Sequence, residues 1–348
     1  MAVPRGVGII GAGPGVSALH LPTLARLPEQ FGLARIVDGG SGRAGLLAER
    51  HGVHAARDVD ELLADESVEV VAVCSPPSLH AAHVIAAAEA GKRGVLCEKP
   101  LGSVREEVEQ AVEACRRRGV ALIAGTNHLY EPAWGLAKHH LLAREEQVRA
   151  VTVTLVLPPN GRYHEVVTEW EPEQARTARS DPDLTEPRVA AAVLRQLMLG
   201  LAVHDLPLVR DLLPTFERVV FARPVAPIGY VVGFIASGVP VHLTASMLPD
   251  GPEALWRVGI TTDREEIDVE FPPSFVQAGG AVVTVRDADG RRIVYPPGSE
   301  NGYLAEWRAL SEVLDGASTT EYDELAADAL YAIELADGVE AHLLREGV

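Results

Sequence analysis

Short apolar runs alternate with amphipathic segments through the first third of the chain. The apolar runs predict buried strands at residues 6–11, 33–38, 68–74, 94–98 and 120–124. The segments between them predict a helix ending near residue 27 and further helices at residues 43–51, 78–90 and 104–118. Strands that alternate with helices indicate βαβ units with right-handed crossovers. We therefore predict an α/β domain built on a doubly wound parallel sheet.

The pattern changes from about residue 148 onward. Strands then follow one another without helices of similar length between them, at residues 148–157, 216–223, 230–236, 239–247, 256–262 and 266–271. A hairpin is predicted around Asp289-Gly290, from residues 282–287 and 292–295. The polar stretch 158–187 predicts a loop or lid, and residues 304–314 and 322–344 predict closing helices. Consecutive strands indicate an α+β domain with a mostly antiparallel, open sheet.

Charge and cysteine usage narrow the classes of partner. The 348 residues carry a net charge of −18 without a basic block, which argues against nucleic acid. Cys74, Cys97 and Cys115 form neither metal-ligand nor redox spacing, so we expect no metal site and a reducing, cytoplasmic setting. No apolar run approaches the length of a membrane span, and little chain precedes the first strand to hold a signal peptide. We therefore expect no membrane partner.

A glycine-rich turn lies between the first predicted strand and the first helix. Gly11, Gly13 and Gly15 fall in the segment Gly-Ala-Gly-Pro-Gly-Val, in the strand–turn–helix context that dinucleotide binding requires. Gly11 permits the tight turn, and Gly13 lets the backbone approach a pyrophosphate at the helix N-terminus. The third fingerprint position is Val16, so we expect Gly15, one residue earlier, to take part of its role. This context predicts a dinucleotide-binding Rossmann domain.

Asp38 ends the second predicted strand, at the usual distance for the acidic residue that binds ribose hydroxyls. A carboxylate repels a 2′-phosphate, so Asp38 favours NAD over NADP as the cofactor. Arg43 lies close by in the sequence and leaves NADP as the alternative. In a competing interpretation, Asp38 caps the Gly39-Gly40 turn that follows it.

The segment Glu98-Lys99-Pro100 directly follows the apolar run 94–97. Open α/β sheets bind ligands at the edge where such strands end. A lysine placed there, near a cofactor and shielded from water, can donate a proton and stabilise a developing oxyanion. An isolated lysine at a strand end is more often a solvated charge. The role of Lys99 therefore depends on the motifs around it.

These motifs together resemble the Gfo/Idh/MocA family of NAD(P)-dependent oxidoreductases. The glycine-rich turn, Ser75-Pro76-Pro77-Ser78-Leu79-His80 and Glu98-Lys99-Pro100 follow in the family's order. The resemblance is continuous over roughly the first 130 residues, including His20-Leu21-Pro22 in the first helix. It is looser beyond them, mainly at Ala202-Val203-His204-Asp205-Leu206. Members of the family act mostly on sugars and cyclic polyols.

The resemblance implies a role for each motif residue. Ser75 and Pro76 would lie against the cofactor, and His80 would cap its helix or touch the cofactor. Glu98 and Lys99 would line the nicotinamide pocket, with Lys99 as the proton-relay lysine.

The resemblance also implies two domains. A Rossmann domain would span residues 1–126, and a substrate-binding and oligomerisation domain would span residues 127–348. In the family, the open face of the second sheet covers the nicotinamide, and such faces pair between subunits. We therefore expect substrate to bind between the domains of a homodimer or homotetramer.

The second domain departs from the family pattern at one position. Many members carry Asp-x-Gly-x-His on a helix, where a spacing of four residues puts both side chains on one face. The matching segment runs from Gly200 to His204, so the carboxylate is missing, and Pro207 replaces a later acidic residue. Asp205 is adjacent, but one residue turns a side chain by about 100° around a helix, so we do not expect it to substitute. His204 remains the predicted catalytic partner of Lys99.

Further polar residues are candidates for substrate contacts. Asn127, His128 and Tyr130 follow the predicted strand at residues 120–124, at the edge where ligands bind. Gln196 lies on the predicted helix that leads to the catalytic histidine.

We expect an oxidoreductase that transfers hydride between NAD(P) and a hydroxyl or keto carbon of a sugar, amino sugar or cyclic polyol. Lys99 and His204 would move the proton, with Tyr130, Tyr163 or His164 assisting. Two alternatives stay open because Gly200 lacks the family carboxylate. One is a redox-neutral elimination or epimerisation with tightly held NAD, and the other is a dinucleotide-binding sensor without turnover.

Overall fold

The chain divides into two compact units. The first contains Met1–Asn127 and Tyr303–Leu330, and the second contains His128–Gly302 and Tyr331–Val348. The structure is a computed structural model that describes residues 3–158, 182–248, 251, 253–273 and 279–347. The candidates Tyr163 and His164, and most of the predicted loop, lie outside the described residues.

Six parallel strands form the sheet of the first unit. They are β1 (Arg5–Ile10), β2 (Phe31–Val37), β3 (His54–Ala55), β4 (Val70–Val73), β5 (Gly94–Glu98) and β6 (Ala121–Gly125). Their order in the sheet is β3-β2-β1-β4-β5-β6, which is the order of a Rossmann fold. Every residue of β4 is fully buried, as expected for a central parallel strand covered on both faces.

Helices connect these parallel strands. After a π-helical turn at Val16–His20 they are α1 (Leu21–Ala25), α2 (Arg43–Arg50), α3 (Val59–Ala64), α4 (His80–Glu89) and α5 (Arg105–Arg118). The sequence analysis does not predict α3, because six residues are too few for a clear periodic pattern. Its N-terminus is capped by Asp58, which accepts a hydrogen bond from the backbone N–H of Glu61 at 2.8 Å.

The first unit also includes a C-terminal segment that the predicted boundaries placed in the second domain. The helix Gly302–Leu314 lies over β5: a Cβ atom at Gly94 would be 3.1 Å from Leu310 Cδ1. Its Trp307 packs edge-on against Phe31, with ring centroids 5.1 Å apart. Covering the sheet of the first unit buries the apolar side of this helix. The predicted boundary at residue 126 assigns residues 303–330 to the second domain, whereas the structure places them in the first unit.

Eight strands form the sheet of the second unit. They are β7 (Val148–Leu157), β8 (Phe216–Pro224), β9 (Ile228–Ala236), β10 (Val239–Met247), β11 (Leu255–Thr262), β12 (Glu265–Phe271), β13 (Val282–Asp287) and β14 (Arg292–Tyr295). Their order is β14-β13-β12-β11-β7-β10-β9-β8. The pair β7 and β10 is parallel, and the other neighbours are antiparallel. The sheet is therefore mostly antiparallel, as predicted.

The remaining helices are α6 (Asn127–Tyr130), α7 (Pro132–Arg144), α8 (Pro187–Gly200), α9 (Leu206–Leu212), α10 (Gly302–Leu314) and α11 (Tyr322–Glu346), with a 3₁₀ turn at Ala202–His204. Burial alternates along β7: Val151 and Val153 are buried, whereas Thr152 and Thr154 stay half-exposed. One face of this sheet is therefore packed and the other is partly open. Pairing of the open face between subunits stays a prediction.

The predicted fold class is confirmed, with a Rossmann parallel sheet followed by a mostly antiparallel sheet. Among the described residues, no single helix is long and apolar enough to cross a membrane. Two consecutive helical segments, Pro187–His204 and Leu206–Leu212, together have the length and apolar composition of a membrane span. They are bent by 67° relative to each other.

Candidate functional site

The glycine-rich turn closes directly after β1. Gly11 has a φ of 119°, and a Cβ atom there would lie 2.3 Å from the carbonyl oxygen of Cys74. Glycine is therefore required at this position by the fold itself. At Gly13 and Gly15, no described atom within 4 Å would meet an added Cβ. The open backbone at Gly13 is what close approach of a pyrophosphate needs.

A cavity of about 450 Å³ opens beside this turn. The predicted residues that line it are Gly11, Gly13, Asp38, Arg43, Ser75 and Pro76. Its wall also includes Cys74, Leu79 and His83, which the sequence analysis does not predict. Val16 is buried in the helix instead, and neither it nor Gly15 lines the cavity. The cavity's size and its glycine-lined wall fit part of a dinucleotide.

The Asp38 carboxylate is hydrogen-bonded by residues of the turn that follows it. It accepts hydrogen bonds from Gly40 N–H at 2.8 Å, Ser41 Oγ at 2.5 Å and Ala44 N–H at 3.0 Å. Burial opposes its ionisation, but these bonds and one from the backbone of Arg43 outweigh it and lower the pKa of Asp38. The capping interpretation is therefore observed. The ionised carboxylate also lines the cavity.

His80 ties two loops of the site together. Its Nε2 lies 2.7 Å from the carbonyl oxygen of Ser75, and its Nδ1 lies 2.8 Å from that of Pro100. Carbonyl oxygens only accept, so His80 contacts them as a donor. Ser75 also bonds His83 through its hydroxyl, at 2.9 Å. His80 therefore does not line the cavity, and it positions the loops that follow β4 and β5.

Glu98 is anchored by a histidine from the first helical segment. Glu98 Oε1 lies 2.9 Å from His20 Nε2, and His20 Nδ1 receives a bond from Trp307 Nε1 at 3.3 Å. The Glu98 carboxylate only accepts, so His20 Nε2 carries the proton of this hydrogen bond. Burial disfavours the Glu98 carboxylate, but the bond from His20 and nearby positive charges outweigh it and lower the pKa of Glu98.

Lys99 follows this anchored carboxylate and is half-buried. Its backbone N–H donates to Glu98 Oε2 at 3.2 Å. Desolvation lowers the pKa of Lys99, and the negative charge of Glu98 offsets this only in part. The ammonium group therefore releases its proton more readily than that of an exposed lysine, as a general acid near neutral pH requires.

The second unit contains a buried carboxylate that the sequence analysis set aside. Asp205 is fully buried and lies 2.8 Å from His128 Nδ1. Trp256 Nε1 donates to both of its carboxylate oxygens at 2.9 Å. The His128 ring stacks on Phe271, with centroids 3.8 Å apart. Asp205 thus fixes the Nδ1–H form of His128.

His204 lies beside this pair, but not on the predicted helical face. Helix α8 ends at Gly200, and Ala202–His204 forms a 3₁₀ turn. The expected four-residue spacing on one continuous helix is therefore wrong, because the helix ends before His204. His204 is buried, 5.6 Å from the His128 ring centroid and 5.2 Å from that of Trp256. Gly200 itself is exposed.

The predicted substrate contacts divide by burial. Asn127 is buried and Tyr130 half-buried, at the two ends of α6. Gln196 is exposed on α8. Among the residues that the structure describes, no group of three or more His, Cys, Asp or Glu side chains is placed to hold a metal ion.

Two positions in the glycine-rich turn separate a structural role from ligand binding. We expect Gly13→Ala to leave the free energy of unfolding within about 0.5 kcal/mol of the parent, because its methyl group enters open space. The same methyl group obstructs the pyrophosphate, so dinucleotide affinity falls about tenfold or more. The matched variant Gly11→Ala loses stability, because it strains a φ of 119°.

Calorimetric titration with NADH and NADPH, alongside denaturant unfolding, checks both halves of this prediction. Dinucleotide affinity that is unchanged in Gly13→Ala would contradict the placement of the pyrophosphate.

The similarity to known protein families is strongest in the first third of the chain. Residues 5–126 match the model of an oxidoreductase family with an NAD-binding Rossmann fold. A myo-inositol 2-dehydrogenase from Thermotoga maritima is 28% identical over 218 residues, 62% of this chain and 57% of the relative. The NADP(+)-dependent scyllo-inositol 2-dehydrogenase IolU from Bacillus subtilis is 32% identical over 114 residues, 32% of this chain and 34% of the relative.

A solved structure extends the similarity of fold to the whole chain. KijD10, a 3-ketoreductase from Actinomadura kijaniata in complex with NADP and TDP-benzene, has a TM-score of 0.74. It is 21% identical and covers 97% of this chain and 98% of its own. The chain spans about a third to just over half of the length of the first curated relatives it matches. Residues 5–126 therefore match the Gfo/Idh/MocA family of oxidoreductases, with its NAD-binding Rossmann fold, and the chain as a whole has a fold similar to that of KijD10.

Proposed function

We propose that the protein transfers hydride between NAD(P) and a hydroxyl or keto carbon of a sugar, amino sugar or cyclic polyol. The Glu98–Lys99 pair at the end of β5 is the observation that carries this proposal. Lys99 lies in the same unit as the glycine-lined cavity, and its surroundings favour release of a proton. The matched relatives named as inositol dehydrogenases support a polyol or sugar as the class of substrate.

The first unit supplies the cofactor site in this proposal. Gly13 offers open backbone to a pyrophosphate, while Asp38 and Arg43 line the region that a ribose would occupy. Ser75 and Pro76 form the opposite wall, and His80 holds that wall in place. A bound nicotinamide supplies or accepts the hydride.

Lys99 moves the proton that accompanies this hydride. In reduction its ammonium group donates a proton to the keto oxygen, which becomes the hydroxyl. In oxidation the neutral amine takes the hydroxyl proton as hydride leaves the same carbon. Desolvation keeps the neutral amine accessible, and Glu98 keeps the ammonium form from being lost altogether. The same side chain therefore serves both directions.

Asp205 provides the carboxylate that Gly200 lacks. It bonds His128, so this chain forms a carboxylate–imidazole pair with that histidine. A neutral His128 held as the Nδ1–H form presents Nε2 as an acceptor. We propose that His128 and His204 contact the substrate hydroxyls, with Asp205 as the residue that positions His128.

Replacing Lys99 tests the main assignment. In Lys99→Met the long apolar side chain is kept and the proton donor is lost, so turnover falls by about 10² to 10⁴-fold. Dinucleotide affinity stays close to that of the parent, because Lys99 does not line the cavity. The measurement is nicotinamide absorbance across a panel of polyols and keto-sugars.

The matched control is Lys138→Met, which removes a lysine that pairs with Asp211 far along the chain from the cofactor motifs. Its turnover should equal that of the parent. Full turnover in Lys99→Met would refute the assignment.

Replacing Asp205 tests the second pair. Asp205→Asn keeps the shape but removes the charge that fixes His128, so kcat should fall on the order of 10²-fold while KM changes less.

Asp211→Asn is the control, because Asp211 also accepts from a tryptophan, Trp134, and its other bond within the described residues is to Lys138. A loss of stability in Asp205→Asn with kcat and KM unchanged would show a purely structural role.

A further inference from the structure

Glu306 is a buried carboxyl group that the proposed function does not use. It lies on α10, and its exposed fraction is 0%. Neither of its side-chain oxygens has a hydrogen-bond partner within the described part of the chain. A buried polar group without a partner costs stability, so its presence here calls for an explanation.

The neighbours of Glu306 belong to the group that anchors β5. Trp307, the next residue, donates to His20, and His20 in turn bonds Glu98. The charges of Glu98 and His20 both act on Glu306. Glu306 is therefore the second carboxyl group of a buried cluster whose other members hold the residue before Lys99.

Two carboxyl groups that share a buried cluster do not both ionise readily, because each charge opposes the other. The donors in this cluster are distributed unequally. Glu98 receives the His20 ring at 2.9 Å and the backbone N–H of Lys99 at 3.2 Å. Glu306 receives no donor from the described residues. The negative charge therefore belongs on Glu98 and the proton on Glu306.

We propose that Glu306 is a positioning residue that stays protonated and so leaves Glu98 as the single negative charge beside Lys99. This rests on the proposed function only for its consequence, which is the readiness of Lys99 to release a proton. An ionised Glu306 would add a second negative charge to the cluster and hold the proton on Lys99 more tightly.

The electrostatic balance of the cluster supports this assignment. Burial raises the pKa of Glu306 well above its ordinary value, the charge of Glu98 raises it further, and His20 opposes both. Two more titratable groups face the cluster: Cys74 acts on His20, and His80 acts on Glu98. None of these groups donates a hydrogen bond to Glu306 within the described residues.

The small number of lysines allows a direct test that needs no substrate. The chain has three: Lys92, Lys99 and Lys138. Reductive methylation with ¹³C-formaldehyde gives each a separate NMR signal, and Lys99→Met assigns the one from Lys99. The experiment is a pH titration of that signal in the parent and in two variants, Glu306→Gln and Glu98→Gln.

A protonated Glu306 predicts opposite results for the two variants. Glu306→Gln replaces one neutral group by another, so the proton affinity of Lys99 changes by less than about twofold. Glu98→Gln removes the neighbouring negative charge, so the same affinity falls about tenfold or more. A fall of similar size in both variants would show that Glu306 carries charge and would overturn the proposal.

Stability as a function of pH gives a second test. A carboxyl group whose pKa is raised by folding contributes its full stability below the unfolded pKa of about 4.3 and loses it as pH rises toward the folded value. Relative to Glu306→Gln, the parent's unfolding equilibrium constant should rise about tenfold per pH unit in that range. Hydrogen exchange of the β5 amides reports this constant for the first unit.

Glu312→Gln, at an exposed position of the same helix, is the matched control and should show no such trend. The ratio of the unfolding constants of the parent and Glu306→Gln should therefore change with pH. A ratio that is constant from about pH 5 to 8 would contradict the claim that Glu306 is protonated. Neither test involves turnover. Failure here therefore leaves the oxidoreductase proposal standing, and inactivity toward polyols leaves this inference standing.

Discussion

The hydrogen bond between His20 and Glu98 fixes the end of β5, and the proton transfer that we propose for Lys99 depends on it. It keeps a carboxylate charged in a buried setting, where an unpaired one would take up a proton. That charge partly offsets the desolvation of Lys99, so the lysine is shifted toward release of its proton without losing it permanently. Trp307 on α10 donates a hydrogen bond to the other ring nitrogen of His20, so α10 is linked to the end of β5 as well.

The second unit also contains a buried carboxylate, that of Asp205, which is stabilised by different residues. Asp205 is fully buried, and three donor contacts, from His128 and from Trp256, compensate for the water it has lost. The break in the helix after Gly200 makes this arrangement accessible. Because the backbone turns into a 3₁₀ segment, the residue after His204 points into the interior rather than a third of a turn away from it. A missing carboxylate in a motif is therefore weak evidence that the chemistry has changed.

The sequence was sufficient wherever local pattern determines structure. The apolar runs located β5, β7 and β10 to the residue, and the glycine-rich turn located the cavity. It was insufficient where tertiary contacts decide. The return of Tyr303–Leu330 to the first unit depends on packing over Gly94, which no local pattern reports. The roles of His80 and Asp205 depend on which polar groups become buried together. The family spacing predicts one helix that continues from Gly200 to His204. In the structure, α8 ends at Gly200.

The central claim is that Lys99 protonates the oxygen of a carbon that receives hydride from NAD(P)H. Incubation with NADH and NADPH deuterated at C4, across a panel of keto-sugars and keto-inositols, tests it by mass spectrometry of the products. The account predicts one deuterium on the former carbonyl carbon of at least one substrate, and its loss in Lys99→Met. Deuterium transfer that persists in Lys99→Met, or products that form without any deuterium, would contradict it.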